Sequence, residues 1–263
     1  MTTSQRPAGE SSSLGQGLAL LDAAVRRERS GLPGPSVSKL ADLTGIERSR
    51  ASRLTQELLD LGLLEKSHDG RLRAGPAYFA WGASRHDTWL RAARRDLRRL
   101  ASRHRASVRL LAADGPRAVL LRYESAPGAP DAAIRAGMVT PIWSTGGGRA
   151  LLWQLDVAQI ADLLAGSLFI GVGGPHAARS SADVAARVRA DRERGVVEAA
   201  EEFEYGVVEL AFPVIDGDRV IAAVSAACHA GDTDARAALS REVVSIAREL
   251  GRLATFGPDA ADQ

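Results

Sequence analysis

Between positions 48 and 56 the chain reads Arg48-Ser49-Arg50-Ala51-Ser52-Arg53-Leu54-Thr55-Gln56. Polar side chains that can read nucleic acid are interleaved there with apolar ones at helical spacing. With Ala51, Leu54 and Leu58 facing inward, a step of about 100° per residue turns Ser49, Ser52, Arg53 and Gln56 outward and sets Arg48 and Arg50 on the flanks. Arg can grip guanine bidentately, Gln can pair with adenine, and Ser serves base or phosphate. Glu47, just before this run, suits an N-terminal cap better than a DNA contact. Further on, Lys66, Arg71 and Arg73 surround His68-Asp69-Gly70, and cations on such a hairpin suit phosphate oxygens. The plain alternative is that these cations solvate a surface helix.

Other candidate chemistry is sparse. The run Gly146-Gly147-Gly148 is a turn before a helix or a phosphate cradle, yet it lacks the Lys-Ser/Thr that completes a P-loop. Cys228-His229 is the one tempting nucleophile pair, but consecutive strand residues point to opposite faces, and Cys228 reads as a small buried hydrophobe. His68, His86, His104 and His176 are dispersed. No Ser-His-Asp motif, His-Glu metal helix or dinucleotide fingerprint is visible, so neither an enzyme, a metal site nor a cofactor is expected.

The elements that must hold the polar run are legible around it. Leu14, Leu18, Leu21 and Val25 recur at helical spacing before a Gly-Pro-rich break at 31–35. Ser36 can cap a short helix carrying Val37, Leu40, Ala41 and Leu43, which ends at Thr44-Gly45. Ile46 leads into the third helix, terminated at Gly62. Asp69-Gly70 between 63–67 and 71–73 is a hairpin signal. This order is that of a winged helix-turn-helix, the module in which a second recognition helix enters the major groove. From 78 to 105 a helical stretch carries Trp81, Trp89, Leu97 and Leu100 among many Arg; it links the halves, packing one face against the second domain or a partner subunit, with a secondary DNA contact as the other reading.

Beyond Ala106 the pattern changes to short strands at 108–112, 118–123, 132–136, 207–215 and 220–227, with turns at Asp114-Gly115-Pro116 and Asp216-Gly217-Asp218. Helices fit 148–153, 157–164, 181–194 and 234–256, and the glycine-rich 166–180 reads as a mobile loop. The expected class is α+β: a flexible tail at 1–13, a winged helix-turn-helix at 14–77, an Arg-rich linker helix at 78–105, an α/β domain at 106–256 and a tail at 257–263.

Composition agrees with two soluble domains. Of 263 residues 45% are hydrophobic and 25% charged, so the chain is neither fibrous nor disordered. A net charge of +2 is too small to mark a nucleic-acid binder by itself, so placement decides. Arg dominates, the only lysines being Lys39 and Lys66. A single cysteine excludes an internal disulfide, and the polar first residues are expected to be neither a signal peptide nor a membrane anchor. With no apolar run long enough for a membrane span, a cytoplasmic location and no membrane partner are expected.

From Leu14 to about Ala254 the order of features resembles the IclR family of bacterial transcription regulators. One stretch that carries the likeness is Leu40-Ala41-Asp42-Leu43-Thr44-Gly45-Ile46 with Ser49, Arg53-Leu54, the 58–64 segment and the wing. The other runs from Gly137 to Trp153 (GMVTPIWSTGGGRALLW), then Arg194-Gly195-Val196, Glu201-Glu202, Gly206 and Ala211-Phe212-Pro213-Val214. The resemblance implies a GAF-like C-terminal domain that binds a small-molecule effector and so alters binding to double-stranded operator DNA. It also implies a homodimer or a dimer of dimers. By position it carries the effector site onto Gly146, Gly147 and Ser225, and a position often Cys in the family falls on Glu209. Alternation puts Val207, Glu209 and Ala211 on one strand face and Ala223, Ser225 and Ala227 on one face of the neighbour, which leaves room for a ligand. An ionised Glu209 would repel an anion unless an Arg intervened, which hints at a cationic or hydroxyl-bearing ligand. Glu209 as a surface carboxylate at a strand edge is the other reading. A C-terminal domain that senses nothing and serves only as a dimerisation or docking scaffold is the rival for the whole half.

Overall fold

The computed structural model describes residues 12–29, 32–83, 88–130, 136–170 and 172–255. The chain forms two compact units, Met1–Trp81 and Gly82–Gln263. Residues 1–11 of the expected tail at 1–13, the expected tail at 257–263 and most of the expected strand at 132–136 lie outside the described residues, and Ser13 already belongs to the first helix.

The first unit holds α1 (Ser13–Arg29), α2 (Val37–Thr44), α3 (Arg48–Asp60), β1 (Leu64–Lys66), β2 (Leu72–Ala74) and most of α4 (Pro76–Ala83). Local chemistry sets these bounds. Ser36 Oγ accepts the Lys39 N–H at the start of α2. Gly45 closes that helix in the left-handed region, at φ 69°, where a side chain would be strained. β1 and β2 pair antiparallel from Leu64↔Ala74 to Lys66↔Leu72, and Gly70, at φ 75°, makes the turn. Asp69 holds that turn by accepting from Ser67 Oγ and the Arg71 N–H. The Gly-Pro-rich break runs along β2: Leu72 N–H donates to Pro35, and a Cβ on Gly34 would sit 2.3 Å from the Leu72 carbonyl oxygen. In α1 burial falls on Gln16, Leu20, Leu21, Ala24 and Val25, whereas Leu14 and Leu18 of the expected stripe are exposed. The inward face is centred on Leu20 and Ala24, so the first two turns contribute little apolar contact.

In the second unit α5 (Thr88–His104) precedes β3 (Ser107–Asp114), β4 (Arg117–Ser125) and β5 (Val139–Pro141). Then follow α6 (Gly146–Leu151), α7 (Val157–Leu163), α8 (Ser181–Arg194), β6 (Val197–Ala200), β7 (Val207–Asp216), β8 (Arg219–His229) and α9 (Thr233–Thr255). The strands form one antiparallel sheet in the order β5-β4-β3-β8-β7-β6. Its two faces carry separate cores. On one, Val108, Leu110, Val208, Leu210, Phe212, Val224 and Ala226 meet Leu90, Leu97 and Leu100 of α5 and Leu239, Val243 and Leu250 of α9. On the other, Leu111, Ala211, Ala223 and Val197 meet α6, α7 and α8 through Ala150, Leu151, Ile160, Val184 and Val188. Alternation along β7 is therefore as the sequence predicts.

The helical stretch expected over 78–105 divides into α4 and α5, with 84–87 outside the described residues. α5 packs through Leu90, Ala93, Leu97 and Leu100, and its outer arginines engage the same unit: Arg94 and Arg98 each pair with Glu124 at 3.2 Å, and Arg103 pairs with Glu242 at 3.2 Å. Trp81, expected on the packing face, is exposed. The glycine-rich stretch before α8 is tied to the β6–β7 connection, with the Gly174 and His176 N–H groups donating to Glu202 and Glu201 carbonyls.

Candidate functional site

The face that α3 turns outward is the one its sequence predicts. Ala51, Leu54, Thr55 and Leu58 are buried, while Arg48, Ser49, Arg50, Ser52, Arg53 and Gln56 are exposed. Glu47 caps the helix: its carboxylate accepts the Ser49 and Arg50 N–H groups at 2.8 and 3.0 Å, and the Ser49 hydroxyl as well. The hydroxyl bond, reinforced by the two backbone donors, lowers the Glu47 carboxyl from 4.5 to about 2. Ser49 thus has its hydroxyl proton committed to Glu47, which leaves its oxygen lone pairs as acceptors.

The cations of this face differ in how freely they project. Arg50 donates to Ser13 Oγ at 3.1 Å, Arg48 stands 3.7 Å from Asp42, and Gln56 donates to Asp60 at 2.8 Å. Among the described residues neither Ser52 nor Arg53 has a side-chain partner. On the hairpin Arg73 is paired with Glu65 at 2.8 Å, and Arg71 contacts Asp69 at 3.4 Å and the Gly34 carbonyl at 3.1 Å. Lys66 is exposed and makes no ion pair among the described residues. Salt bridges this exposed are weak, so Arg71 and Arg73 can exchange a carboxylate for a phosphate at small cost.

The second predicted set converges on one face of the sheet. Arg109 pairs with Ser225 across β3 and β8, and Glu209 lies opposite Ala227 on one side and Ala199 on the other. Glu209 is not at a sheet edge: β7 lies between β8 and β6, and only 5% of the residue is exposed. Its Oε2 accepts the Gly146 N–H at 2.7 Å; its Oε1 accepts the Gly147 N–H and the Arg109 guanidinium, each at 3.2 Å. The glycines are needed for this approach. A Cβ on Gly146 would lie 3.1 Å from Ala199 and 3.2 Å from Glu209, and one on Gly147 would lie 2.6 Å from Leu111. Ser225 is fully buried beneath Gly147, and among the described residues its hydroxyl has no hydrogen-bond partner.

Gly146, Gly147, Glu209 and Ser225 are thus brought together, and Arg109 joins them. The room expected beside the carboxylate is filled: what remains, lined by Arg109, Ala199, Phe203, Glu204, Val207 and Glu209, is about 10 Å³, at the threshold for a single water. Because Arg109 answers the charge of Glu209, the inference of a cationic ligand loses its basis. Arg109 carries a sequence signal only in retrospect, as a cation between Val108 and Leu110 on a strand whose neighbours are all buried.

A second buried ionic cluster escaped the sequence reading. Arg149, one residue past the glycine run and 2% exposed, donates to Asp191 at 2.6 Å, to Glu202 and to the Glu198 carbonyl at 2.9 Å. Arg187 and Arg194 complete it, at 2.8 Å from Glu202 and 2.9 Å from Asp191. Burial pushes the Asp191 carboxyl up, against the pull of Arg149. The cluster ties α6 to α8 and to the β6–β7 connection, and so fixes the glycine turn over Glu209. Cys228 and His229 form no dyad: the thiol is buried in the α5/α9 core, which pushes its pKa up, whereas His229 is exposed and faces the Gly128 carbonyl. No group of His, Cys, Asp and Glu among the described residues could hold a metal, and no described helix is long and apolar enough to cross a membrane.

Residues 13–68 match the IclR helix-turn-helix domain, and residues 84–252 match the bacterial transcriptional regulator IclR C-terminal domain. The chain belongs to the IclR family. It is a DNA-binding transcription regulator built from the family's two domains. Its fold is similar to that of an IclR-type transcriptional regulator from Silicibacter sp. TM1040, with 21% identity, a TM-score of 0.63, and 93% of this chain and 96% of that one covered. An IclR homolog from Microbacterium hydrocarbonoxydans complexed with 4-hydroxybenzoate is similar at 21% identity and a TM-score of 0.59, over 92% and 99% of the two chains. The IclR protein of Thermotoga maritima is similar at 22% identity and a TM-score of 0.56, over 91% and 98%. No curated protein matches the chain.

Proposed function

We infer that this IclR-family regulator reads operator DNA with α3 lying in the major groove, Arg53 and Ser52 contacting base edges, and Arg48, Ser49, Arg50 and Gln56 flanking them. Lys66, Arg71 and Arg73 of the hairpin hold adjacent phosphates. The observation that carries this reading is the exposed polar face of α3, with Arg53 unpaired at its centre and the helix fixed from behind by Ala51, Leu54 and Leu58. The protein acts in the cytoplasm as a homodimer or dimer of dimers on a two-fold operator, a symmetry that suits paired recognition helices. Footprinting the purified protein on its own upstream region tests this. A protected, two-fold symmetric site supports the reading; protection that follows no sequence counts against it.

The C-terminal unit senses a small molecule at the site formed by Gly146, Gly147, Glu209 and Ser225. That the similar Microbacterium protein is complexed with 4-hydroxybenzoate supports a small-molecule ligand for this chain. The filled site, with about 10 Å³ left open, supports the second reading, a scaffold that only dimerises. A thermal-shift screen of neutral metabolites separates the two, because a ligand that binds only the folded state raises its apparent stability. A hit must also change operator affinity, and operator must change ligand affinity by the same factor.

A further inference from the structure

We propose that Glu209 is a tethered occupant of a carboxylate cradle and thereby makes the C-terminal unit blind to free carboxylate effectors. The inference rests on reading Gly146, Gly147, Glu209 and Ser225 as the effector site. Two backbone N–H groups and one guanidinium converge on the two oxygens of Glu209, at 2.7, 3.2 and 3.2 Å, and the residue is buried. This donor set is what a small carboxylate needs for recognition: charge-assisted hydrogen bonds from a cation and from main-chain donors. A fourth donor stands beside it, the fully buried Ser225 hydroxyl, which has no hydrogen-bond partner among the described residues.

The occupant here is part of the chain. β7 holds the Glu209 backbone between β6 and β8, so the carboxylate is presented already oriented. Being held by the chain, it occupies the cradle without the loss of translational and rotational freedom that a free ligand must meet. A free carboxylate at millimolar concentration does not displace such a group. The residue also fills the space, and the remaining 10 Å³ admits no organic acid. Glu209 is therefore a specificity residue: any effector of the native protein binds without a carboxylate in this cradle.

The test exploits an identity of fragments. Glu209→Ala deletes Cγ, Cδ and both Oε atoms, the heavy atoms of acetate, and takes this carboxylate away from the Gly146, Gly147 and Arg109 donors. Acetate should replace it. In the full-length variant, sodium acetate at 100 mM should raise the apparent melting temperature by about 3–6 °C beyond matched sodium chloride, with half-saturation on the order of 10 mM for so small a ligand. Acetamide should have no effect, and neither the wild type nor Glu209→Gln, which keeps the volume filled, should respond to acetate. A Glu209→Ala protein indifferent to acetate would overturn the proposal, as would saturable acetate binding by the wild type. Should Glu209→Ala fold only when expressed and purified in acetate, that rescue supports it. Should it fold in neither salt, the wild-type titration still decides, because acetate protection there contradicts a filled cradle and its absence agrees with one. The acetate titration reports on the cradle alone, whereas the metabolite screen on the wild type reports on the effector-site reading, so failure of one is distinguishable from failure of the other.

Discussion

Arg149→Met is the perturbation whose cost follows most directly from the structure. The guanidinium is 2% exposed and answers two carboxylates, Asp191 and Glu202, whose side chains are 2% and 8% exposed. Methionine fills much of the stem volume but leaves both acids short of a cation. Removing one partner of a buried ion pair costs about 3–5 kcal/mol. Arg187 and Arg194 still reach Glu202 and Asp191, so the lower end, about 3 kcal/mol, is expected. For a unit of this size each kcal/mol moves the melting temperature by about 2–4 °C, giving a drop of about 6–12 °C. Differential scanning calorimetry of the full chain should show it in the transition of the C-terminal unit, with the N-terminal unit unmoved. The loss should also depend on pH. Burial already raises the Asp191 carboxyl, and without Arg149 it rises further. A folded-state pKa above the unfolded one means stability that is present at low pH and lost as pH rises through the folded value, so the deficit should widen from pH 5 to pH 8. A deficit below about 1 kcal/mol that is flat with pH would refute the claim that these carboxylates depend on Arg149.

Other expectations follow from single contacts. Glu47 has a folded pKa of about 2 against 4.5, so its capping of α3 is present above pH 4.5 and lost as pH falls toward 2; an NMR titration of its carboxyl carbon should show the low midpoint, which Ser49→Ala should raise. Gly148→Ala would place a Cβ 2.3 Å from the Ile142 carbonyl oxygen and should cost about 1–3 kcal/mol or more in urea unfolding, whereas Gly17→Ala in α1 meets nothing within 4 Å and should gain about 0.5–1 kcal/mol. Lys66→Ala should lower the slope of log affinity for operator against log salt by about 0.9, the share of one phosphate contact.

What was legible in the sequence is what local chemistry determines. The Ser36 cap, the left-handed Gly45, the Asp69-Gly70 turn and the polar face of α3 each depend on residues a few positions apart, and each stands where the sequence puts it. Strand alternation likewise sorted Val208, Leu210 and Phe212 from Glu209 and Ala211. Short edge strands carried too little pattern: β5 and β6, of three and four residues, went unread. The ionic contacts were out of reach for another reason. Glu209 and Arg109 are 100 residues apart and Arg149 and Asp191 42 apart, and no periodicity couples positions so distant. An Arg could be foreseen as a condition for burying Glu209, but not which one. The same gap misjudged the site's volume, because small neighbours suggest space only until the element that covers them is known.

The central claim, that α3 reads operator sequence through Arg53, is tested most directly by fluorescence anisotropy of the full-length protein on its footprinted operator and on a scrambled duplex. The wild type should prefer the operator. Arg53→Ala should lose about 10–100-fold of affinity for it, the worth of one bidentate base contact, while its affinity for the scrambled duplex and its melting temperature stay nearly unchanged. Equal discrimination by the two proteins would contradict the claim.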